Sequence, residues 1–151
     1  MAIRIGELLI KKKKINPDQL QTALRDQSQT GEFLGAILIR LGYVKEEELL
    51  EVLAEQFSTQ FVHLSKVYVN PQVVKLIPAR LAREHNFLPI EMKGGNLLIA
   101  VSNPLDMWPM SAVHDILEVS EVKIVLATRK DIEAAIEKHY GSEFEATGGG
   151  L

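Results

Sequence analysis

The first 56 residues of the chain contain one pattern twice. Residues 4–27 align with residues 33–56 without a gap, at a shift of 29 positions. Composition alone would give about one or two identities over such a length. Six are present: Gly6/Gly35, Leu9/Leu38, Ile10/Ile39, Leu20/Leu49, Leu24/Leu53 and Gln27/Gln56. This part of the chain is an internal duplication, and its fold must accept the same unit twice.

Each copy predicts a helical hairpin. In the first, Gly6–Lys14 predicts a short helix, and Asn16-Pro17 supplies an N-cap and a first-turn proline for a second helix. That second helix carries apolar residues at the 3.6-residue period of one face. The second copy repeats the stripe, with a break at Gly42-Tyr43. We expect residues 1–60 to form a four-helix domain made of the two hairpins.

After Gln60 the pattern changes. Asn70-Pro71 predicts a new helix, which Ile77-Pro78 interrupts. Two β-capable runs, Phe87–Met92 and Asn96–Ser102, are joined by a Gly-Gly turn and predict a hairpin. The remaining predicted elements are a helix near Ser111–Leu117, a strand over Val122–Ala127, and a helix over Arg129–His139 capped by Thr128. The fold class is therefore α+β.

The predicted order of elements gives a three-stranded sheet with helices on one face, a small α/β sandwich over residues 61–141. Residues 142–151 end in Thr-Gly-Gly-Gly-Leu, a composition typical of a flexible linker or tail. The chain thus divides into a duplicated helical domain, a small α+β domain and a tail.

Composition excludes several classes. A net charge of −3 does not favour DNA binding. The absence of cysteine excludes disulfides and thiolate metal sites, and it agrees with a cytoplasmic location. Every apolar run is shorter than the roughly 20 residues of a membrane span. We expect a cytoplasmic protein.

No catalytic motif is present in the sequence. It lacks the Walker A pattern, the dinucleotide-binding glycine pattern, the Gly-x-Ser-x-Gly pattern and paired histidines at metal spacing. The four histidines are scattered, which favours structural or solvated roles. We therefore expect no enzyme activity, no metal and no cofactor.

Two other features have competing interpretations. The basic run Lys11–Lys14 is typical of a solvated helix face, and the alternative is attraction of an anionic ligand or a phospholipid headgroup. Trp108, between Met107 and Met110, is interpreted as an anchor of its loop on the core, with a partner-binding patch as the alternative.

The repeat itself suggests nucleotide chemistry. A glycine at a helix start lets a phosphate approach backbone N–H groups. Arg4 can bond a phosphate or a guanine edge, and Gln27 and Gln56 can each donate and accept at a base edge. A duplicated site suits a two-fold ligand. The alternative is that both glycines, Gly6 and Gly35, serve close helix packing and both glutamines are caps.

The repeat resembles the tandem motif at the N-terminus of bacterial type II secretion and type IV pilus-extension ATPases. The similarity begins at Arg4-Ile5-Gly6-Glu7-Leu8-Leu9-Ile10 and includes Gly42-Tyr43-Val44 in the second copy. It continues through Ile77-Pro78-Ala79-Arg80-Leu81-Ala82 and Leu98-Ile99-Ala100-Val101-Ser102-Asn103-Pro104 to Gly141.

This resemblance implies a non-catalytic regulatory module that binds cyclic di-GMP, each copy holding half of the ligand. It also implies an ATPase domain downstream in cis or a hexameric ATPase in trans, and an inner-membrane assembly protein as a partner that could hold the module at the membrane. The implied ligand residues are Arg4, Ile5, Gly6, Leu9, Leu20, Leu24, Gln27, Phe33, Leu34, Gly35, Leu38, Leu49, Leu53 and Gln56. The alternative is a module that docks on the assembly protein without binding nucleotide.

The chain departs from this family pattern at three positions. Phe33 replaces a basic residue that is common at the start of the second copy, although an aromatic ring could stack on a guanine. Lys13 stands where a glycine is frequent, and Asn103 replaces an aspartate before Pro104. Docking alone does not require Arg4 or the two terminal glutamines, which favours the nucleotide-binding interpretation.

Overall fold

The computed structural model describes residues 5–149, with side chains described up to Gly141. Contacts divide the chain into two compact units, Met1–Ser58 and Thr59–Leu151. The sequence predicted the boundary two residues later. Thr59 and Gln60 join the second unit because each bonds its third strand: the Thr59 hydroxyl donates to the Ile124 carbonyl, and the Gln60 carbonyl accepts from the Leu126 N–H.

The first unit contains the four predicted helices. They are α1 (Ile5–Lys11), α2 (Pro17–Thr30), α3 (Leu34–Arg40) and α4 (Glu46–Gln56). α1 packs against α4, and α2 packs against α3. α1 and α3 are equivalent in the two copies, and so are α2 and α4. The α1–α4 contact is therefore equivalent to the α3–α2 contact. The unit therefore has approximate two-fold symmetry, which the duplication alone does not require.

Both first helices end in the same turn. Lys13 N–H donates to Ile10 C=O and Lys14 N–H to Leu9 C=O, and Gly42 and Tyr43 make the equivalent bonds in the second copy. This pair of bonds defines a Schellman motif, whose C′ residue adopts a left-handed conformation. φ is +60° at Lys13 and +79° at Gly42. The first copy therefore places a lysine where the backbone favours glycine.

Both second helices begin alike. The predicted N-cap Asn16 is confirmed: its side chain accepts from the Gln19 N–H at 2.8 Å, and the Gln19 side chain accepts from the Asn16 N–H at 2.9 Å. In the second copy the Lys45 N–H donates to the Glu48 carboxylate at 3.0 Å. The Lys45 side chain has no acceptor for the Glu48 N–H, so the second copy has only one of the two hydrogen bonds of a capping box.

The second unit is the predicted α+β fold. A 3-10 turn (Leu64–Lys66) precedes α5 (Pro71–Val74), α6 (Ala79–His85), β1 (Phe87–Lys93), β2 (Asn96–Val101), α7 (Trp108–Ile116), β3 (Glu121–Leu126) and α8 (Arg129–Gly149). The sheet order is β1-β2-β3, with β1 antiparallel and β3 parallel to β2. Gly94 and Gly95, with φ of +55° and +82°, form the hairpin turn. The parallel pair requires the crossover that α7 provides.

A single apolar cluster joins the sheet to its helices. α5, α6 and α8 all contact β1. Leu88, Ala100 and Ile132 are fully buried within this cluster. The Tyr140 hydroxyl, also buried, donates to the Val74 carbonyl at 2.9 Å and so links α8 to α5. This side of the sheet is therefore the helix-covered face that the sequence predicted.

Three details differ from the sequence prediction. α7 begins at Trp108, three residues early, because Pro109 suits a first turn and Asp106 accepts from the Trp108 N–H. α8 continues to Gly149 where a flexible tail was predicted from residue 142, since Glu and Ala in that stretch favour helix. Trp108 is 68% exposed, so its interpretation as a core anchor is wrong.

Candidate ligand-binding site

The implied ligand residues whose side chains are described form a buried, a half-buried and an exposed group. Leu9 and Leu38 have no exposed surface, and Leu49 and Leu53 are 5% and 6% exposed. These four side chains form the interior of the first unit. Their place in a ligand wall stays a prediction, because in this conformation they offer a ligand little or no surface. Arg4 lies outside the described residues.

The two glycines have a packing role in this structure. A Cβ atom built on Gly6 would lie 2.6 Å from a methyl carbon of Leu20, and one built on Gly35 would lie 2.7 Å from a methyl carbon of Leu49. Leu20 and Leu49 occupy equivalent positions, so each copy closes its hairpin with the same contact. A side chain at either glycine would force the leucine methyl group to move. This explains the repeated glycine without a ligand.

The exposed group lies at the start of α3 and on α2. Phe33 is 48% exposed and Leu24 is 38% exposed. Phe33 is the N-cap residue of α3, and its side chain makes no capping hydrogen bond. A phenylalanine in this place is therefore not a core residue, and its ring presents a surface on which a flat ligand can stack.

The starts of α1 and α3 lie side by side. A Cβ atom built on Gly6 would also lie 3.4 Å from a methyl carbon of Leu34, the first residue of α3. Ile5 and Leu34 are equivalent positions in the two copies, and both are half-buried. Sequence spacing gave no sign of this contact, because it crosses between the copies. It brings the two predicted half-sites next to each other.

The terminal glutamines are both half-buried. The Gln27 side-chain amide donates to the Glu32 carbonyl at 3.0 Å, which ties the end of α2 to the linker between the copies. Gln56 also has an interaction partner. Glu32 lies beyond the last residue of α2, so this bond does not cap the helix, and it leaves the amide oxygen as the acceptor available to a ligand.

Ion pairs connect the two copies, and their acidic partners, but not their basic ones, occupy equivalent positions. Lys12 pairs with Glu55 at 2.7 Å, and Arg40 pairs with Asp26 at 2.7 Å. Asp26 and Glu55 are 29 residues apart, so the alignment already contained the signal, although reasoning from motifs overlooked it. The hydrogen bond to Asp26 raises the pKa of Arg40. These exposed pairs fix the relative position of the copies more than they stabilise the fold.

The basic run is partly neutralised. Lys14 pairs with Glu48 at 3.5 Å, in addition to the Lys12 pair. Two of its four ammonium groups are therefore engaged by α4, which favours the solvated helix face over an anion-binding strip. Among residues 5–149 no helix is long and apolar enough to cross a membrane, and no cluster of three acidic or histidine side chains could hold a metal.

Comparison with known proteins identifies the family. The model of the MshEN domain matches residues 57–146, more than half of the chain. The chain belongs to the MshEN domain family. The match begins immediately after the second copy of the repeat ends, so it rests on the second unit. The duplicated motif is not part of it.

Relatives of this MshEN domain include proteins of pilus and secretion systems. It is 30% identical over 145 residues to the type IV pilus assembly ATPase PilB of Myxococcus xanthus, covering 95% of the chain and 25% of that protein. It is 26% identical over 149 residues to type II secretion system protein E of Xanthomonas campestris, covering 96% of the chain and 26% of that protein. The chain thus spans about a quarter of the length of these relatives.

Two solved structures extend the comparison. The structure of MshE with cdg, an abbreviation of cyclic di-GMP, has a TM-score of 0.81 and 32% identity, with 91% of this chain and 99% of that chain covered. The N-terminal domain of XpsE has a TM-score of 0.72, and at 23% identity it supports the fold alone. The MshE match covers so much of this chain that it must include part of the repeat, which lies outside the match to the family model.

Proposed function

We propose that the duplicated unit binds cyclic di-GMP and that the chain is the regulatory N-terminal module of a type IV pilus or type II secretion ATPase. The observation that supports this most is the similarity to MshE with cdg over 91% of this chain. The ATPase itself would be the rest of a longer protein in cis, or a hexamer in trans, because the chain has no Walker A pattern.

The approximate two-fold symmetry of the first unit supports the same ligand. Cyclic di-GMP is two-fold symmetric, and a site built from two copies offers each half of the ligand a set of equivalent positions. In this proposal the phosphates accept hydrogen bonds from first-turn N–H groups of α1 and α3, and the closeness of Leu34 to Gly6 supports it. In this arrangement Arg4 and Gln27 serve one guanine, and Phe33 and Gln56 serve the other.

The two half-sites are not equal in chemistry. Arg4 provides charge and a planar group, whereas its equivalent Phe33 provides only an exposed ring. The exposed apolar side chain of Leu24 can cover a purine face without first leaving the core. The buried leucines Leu9 and Leu38 would then support the site from below rather than touch the ligand.

Isothermal titration calorimetry of the purified chain with cyclic di-GMP tests the proposal. We expect saturable binding of one ligand per chain at micromolar concentration, and much weaker binding of GTP and cyclic di-AMP. Equal heats for all three nucleotides would indicate an unspecific anion effect. No binding by the folded chain, checked by circular dichroism, would contradict the proposal.

A docking function has one observation in its favour. Leu105, Met107 and Trp108 are 47%, 60% and 68% exposed in the second unit, the unit that the MshEN model matches. Apolar side chains so close in sequence and so exposed are typical of protein interfaces. We infer that this patch contacts an inner-membrane assembly protein. Trp108→Ala should then weaken binding of that partner's cytoplasmic domain without changing cyclic di-GMP affinity.

A further inference from the structure

The second unit has an apolar groove that the proposed function does not use. It has a volume of about 450 Å³ and lies where the β1–β2 hairpin extends past the 3-10 turn. Its lining includes Val67 and Tyr68 on one side, and Ile90 and Leu98 of the sheet. Tyr68 is 72% exposed. The volume is within the range of small-molecule sites, about 300–1,000 Å³.

Charge is placed at one side of this groove. Glu91, Leu98 and Lys123 form one row across the three strands, and Lys93, paired with Asn96, lies two rows further along. Lys93, Lys123 and Glu91 all line the groove. Within the described part of the chain, neither lysine forms an ion pair. The groove therefore combines an apolar floor with two ammonium groups.

Glu91 is held by other partners through one of its two carboxylate oxygens, while its charge also interacts with that of Lys93. Its side chain accepts from the Asn70 amide and from the Met92 N–H, both at 3.0 Å. These bonds hold Glu91 toward β1 and the start of α5. An anion that enters the groove can thus reach the two ammonium groups while Glu91 keeps its own hydrogen-bond partners.

The polar groups that line the groove favour a hydrocarbon chain over a peptide as its ligand. The groove is lined by residues of all three strands; the central strand β2 has its backbone groups paired on both sides, and on the edge of β1 the Ile90 carbonyl accepts from the Asn70 N–H. Apart from the Asn96 amide and the lysines, the groove offers few partners for peptide N–H and C=O groups. A buried peptide would lose hydrogen bonds to water there, whereas an acyl chain has none to lose.

We propose that this groove binds a free single-chain amphiphilic carboxylate, such as a fatty acid. The chain lies over Leu98 and Ile90 toward Tyr68, and the carboxylate lies between Lys93 and Lys123. Ion pairing in a partly dehydrated groove fixes the orientation, and apolar burial supplies most of the affinity. The site is independent of cyclic di-GMP binding, which the proposed function assigns to the first unit.

Titration calorimetry of the 151-residue chain with dodecanoate tests this inference. We expect micromolar binding, at least tenfold weaker binding of dodecylammonium, which has the same tail and the opposite charge, and none of butyrate. Lys123→Glu should weaken dodecanoate at least tenfold, and Tyr68→Ala at least threefold. Lys130→Glu, an exposed lysine of α8 outside the groove, is the matched control and should leave affinity unchanged.

The remaining outcomes overturn the inference. Equal binding of dodecanoate and dodecylammonium would show that the lysines take no part. An equal loss in Lys123→Glu and Lys130→Glu would show an effect of net charge only. Co-sedimentation with phosphatidylglycerol vesicles, without dodecanoate binding, would indicate a membrane surface. Binding of an acidic, leucine-containing peptide in place of dodecanoate would indicate a protein groove. All variants are exposed, so circular dichroism should show them folded.

Discussion

The two copies of the repeat share their interior positions and differ at several exposed ones. Leu9 and Leu38 are both fully buried, and the Gly6–Leu20 contact recurs as Gly35–Leu49. Other equivalent positions differ: Arg4 corresponds to Phe33, Lys13 to Gly42 and Gln19 to Glu48. After a duplication, packing keeps the core residues of the two copies similar. Positions that face solvent or a ligand are free to change.

The prediction with the largest effect tests whether the buried leucines shared by the two copies serve only to stabilise the core. Leu9→Ala and Leu38→Ala should each lower the free energy of unfolding by about 2–5 kcal/mol, because each leaves a cavity in a closely packed interior. Urea unfolding followed by circular dichroism measures this loss. The two values should be similar, since the positions are equivalent and equally buried.

Leu24→Ala is the matched control for these two variants. Its side chain is 38% exposed, so the free energy of unfolding should change little, while cyclic di-GMP affinity should fall if the residue covers a purine. If the Leu9 and Leu38 variants bind less only in proportion to their unfolded fraction, those two residues are core residues and not ligand contacts.

The second effect concerns the unequal half-sites. Arg4→Ala should weaken cyclic di-GMP binding by about 1.5–3 kcal/mol, because a charge-assisted hydrogen bond is lost. Phe33→Ala should weaken it by less, and Phe33→Arg should preserve or improve affinity and make binding more sensitive to salt. Calorimetry at two salt concentrations measures both changes. Phe57→Ala, an exposed phenylalanine just after the second copy, should have no effect.

Sequence reasoning predicted the parts of this structure that local patterns determine. The repeat gave four helices, Asn16-Pro17 and Asn70-Pro71 marked helix starts, and the Gly94-Gly95 turn marked the hairpin. The contact between Gly6 and Leu34 was not predictable, because it depends on how the two copies pack. Arg4 and the other implied contacts remain predictions, since motif spacing does not say whether a repeated leucine faces a ligand or the core.

The Trp108 error has a similar physical cause. A lone tryptophan is usually buried because of its large apolar area. Here it begins α7 and stacks with His85, at a centroid separation of 6.1 Å, on the surface. Neither its neighbours in sequence nor the helical period of apolar residues shows whether the Trp108 side chain is buried or exposed. Long-range packing decides them.

The third effect tests the left-handed turns. Lys13→Gly should raise the free energy of unfolding by about 1 kcal/mol, because a side chain in a left-handed conformation carries a steric cost that glycine avoids. Gly42→Lys should lower it by a similar amount. Thermal and urea unfolding measure both. A destabilised Lys13→Gly variant would mean that the lysine side chain contributes more than its backbone strain costs.

The smallest effect concerns acid stability, which should differ between the copies. The hydrogen bond from the Lys45 N–H, and to a lesser extent the charge of Lys14, lowers the pKa of Glu48, whereas the equivalent Gln19 does not titrate. Because the folded-state pKa is below the unfolded value of about 4.3, the folded state binds fewer protons. The contribution to stability is therefore present above that value and is lost as the pH falls through the folded-state pKa.

Glu48→Gln should reduce the shift in the urea midpoint between pH 6 and pH 3, and Gln19→Glu should enlarge it. Glu47→Gln, an exposed carboxylate of the same first turn, is the control. An equal change in the Glu47 and Glu48 variants would assign the effect to general charge near the helix start rather than to the cap.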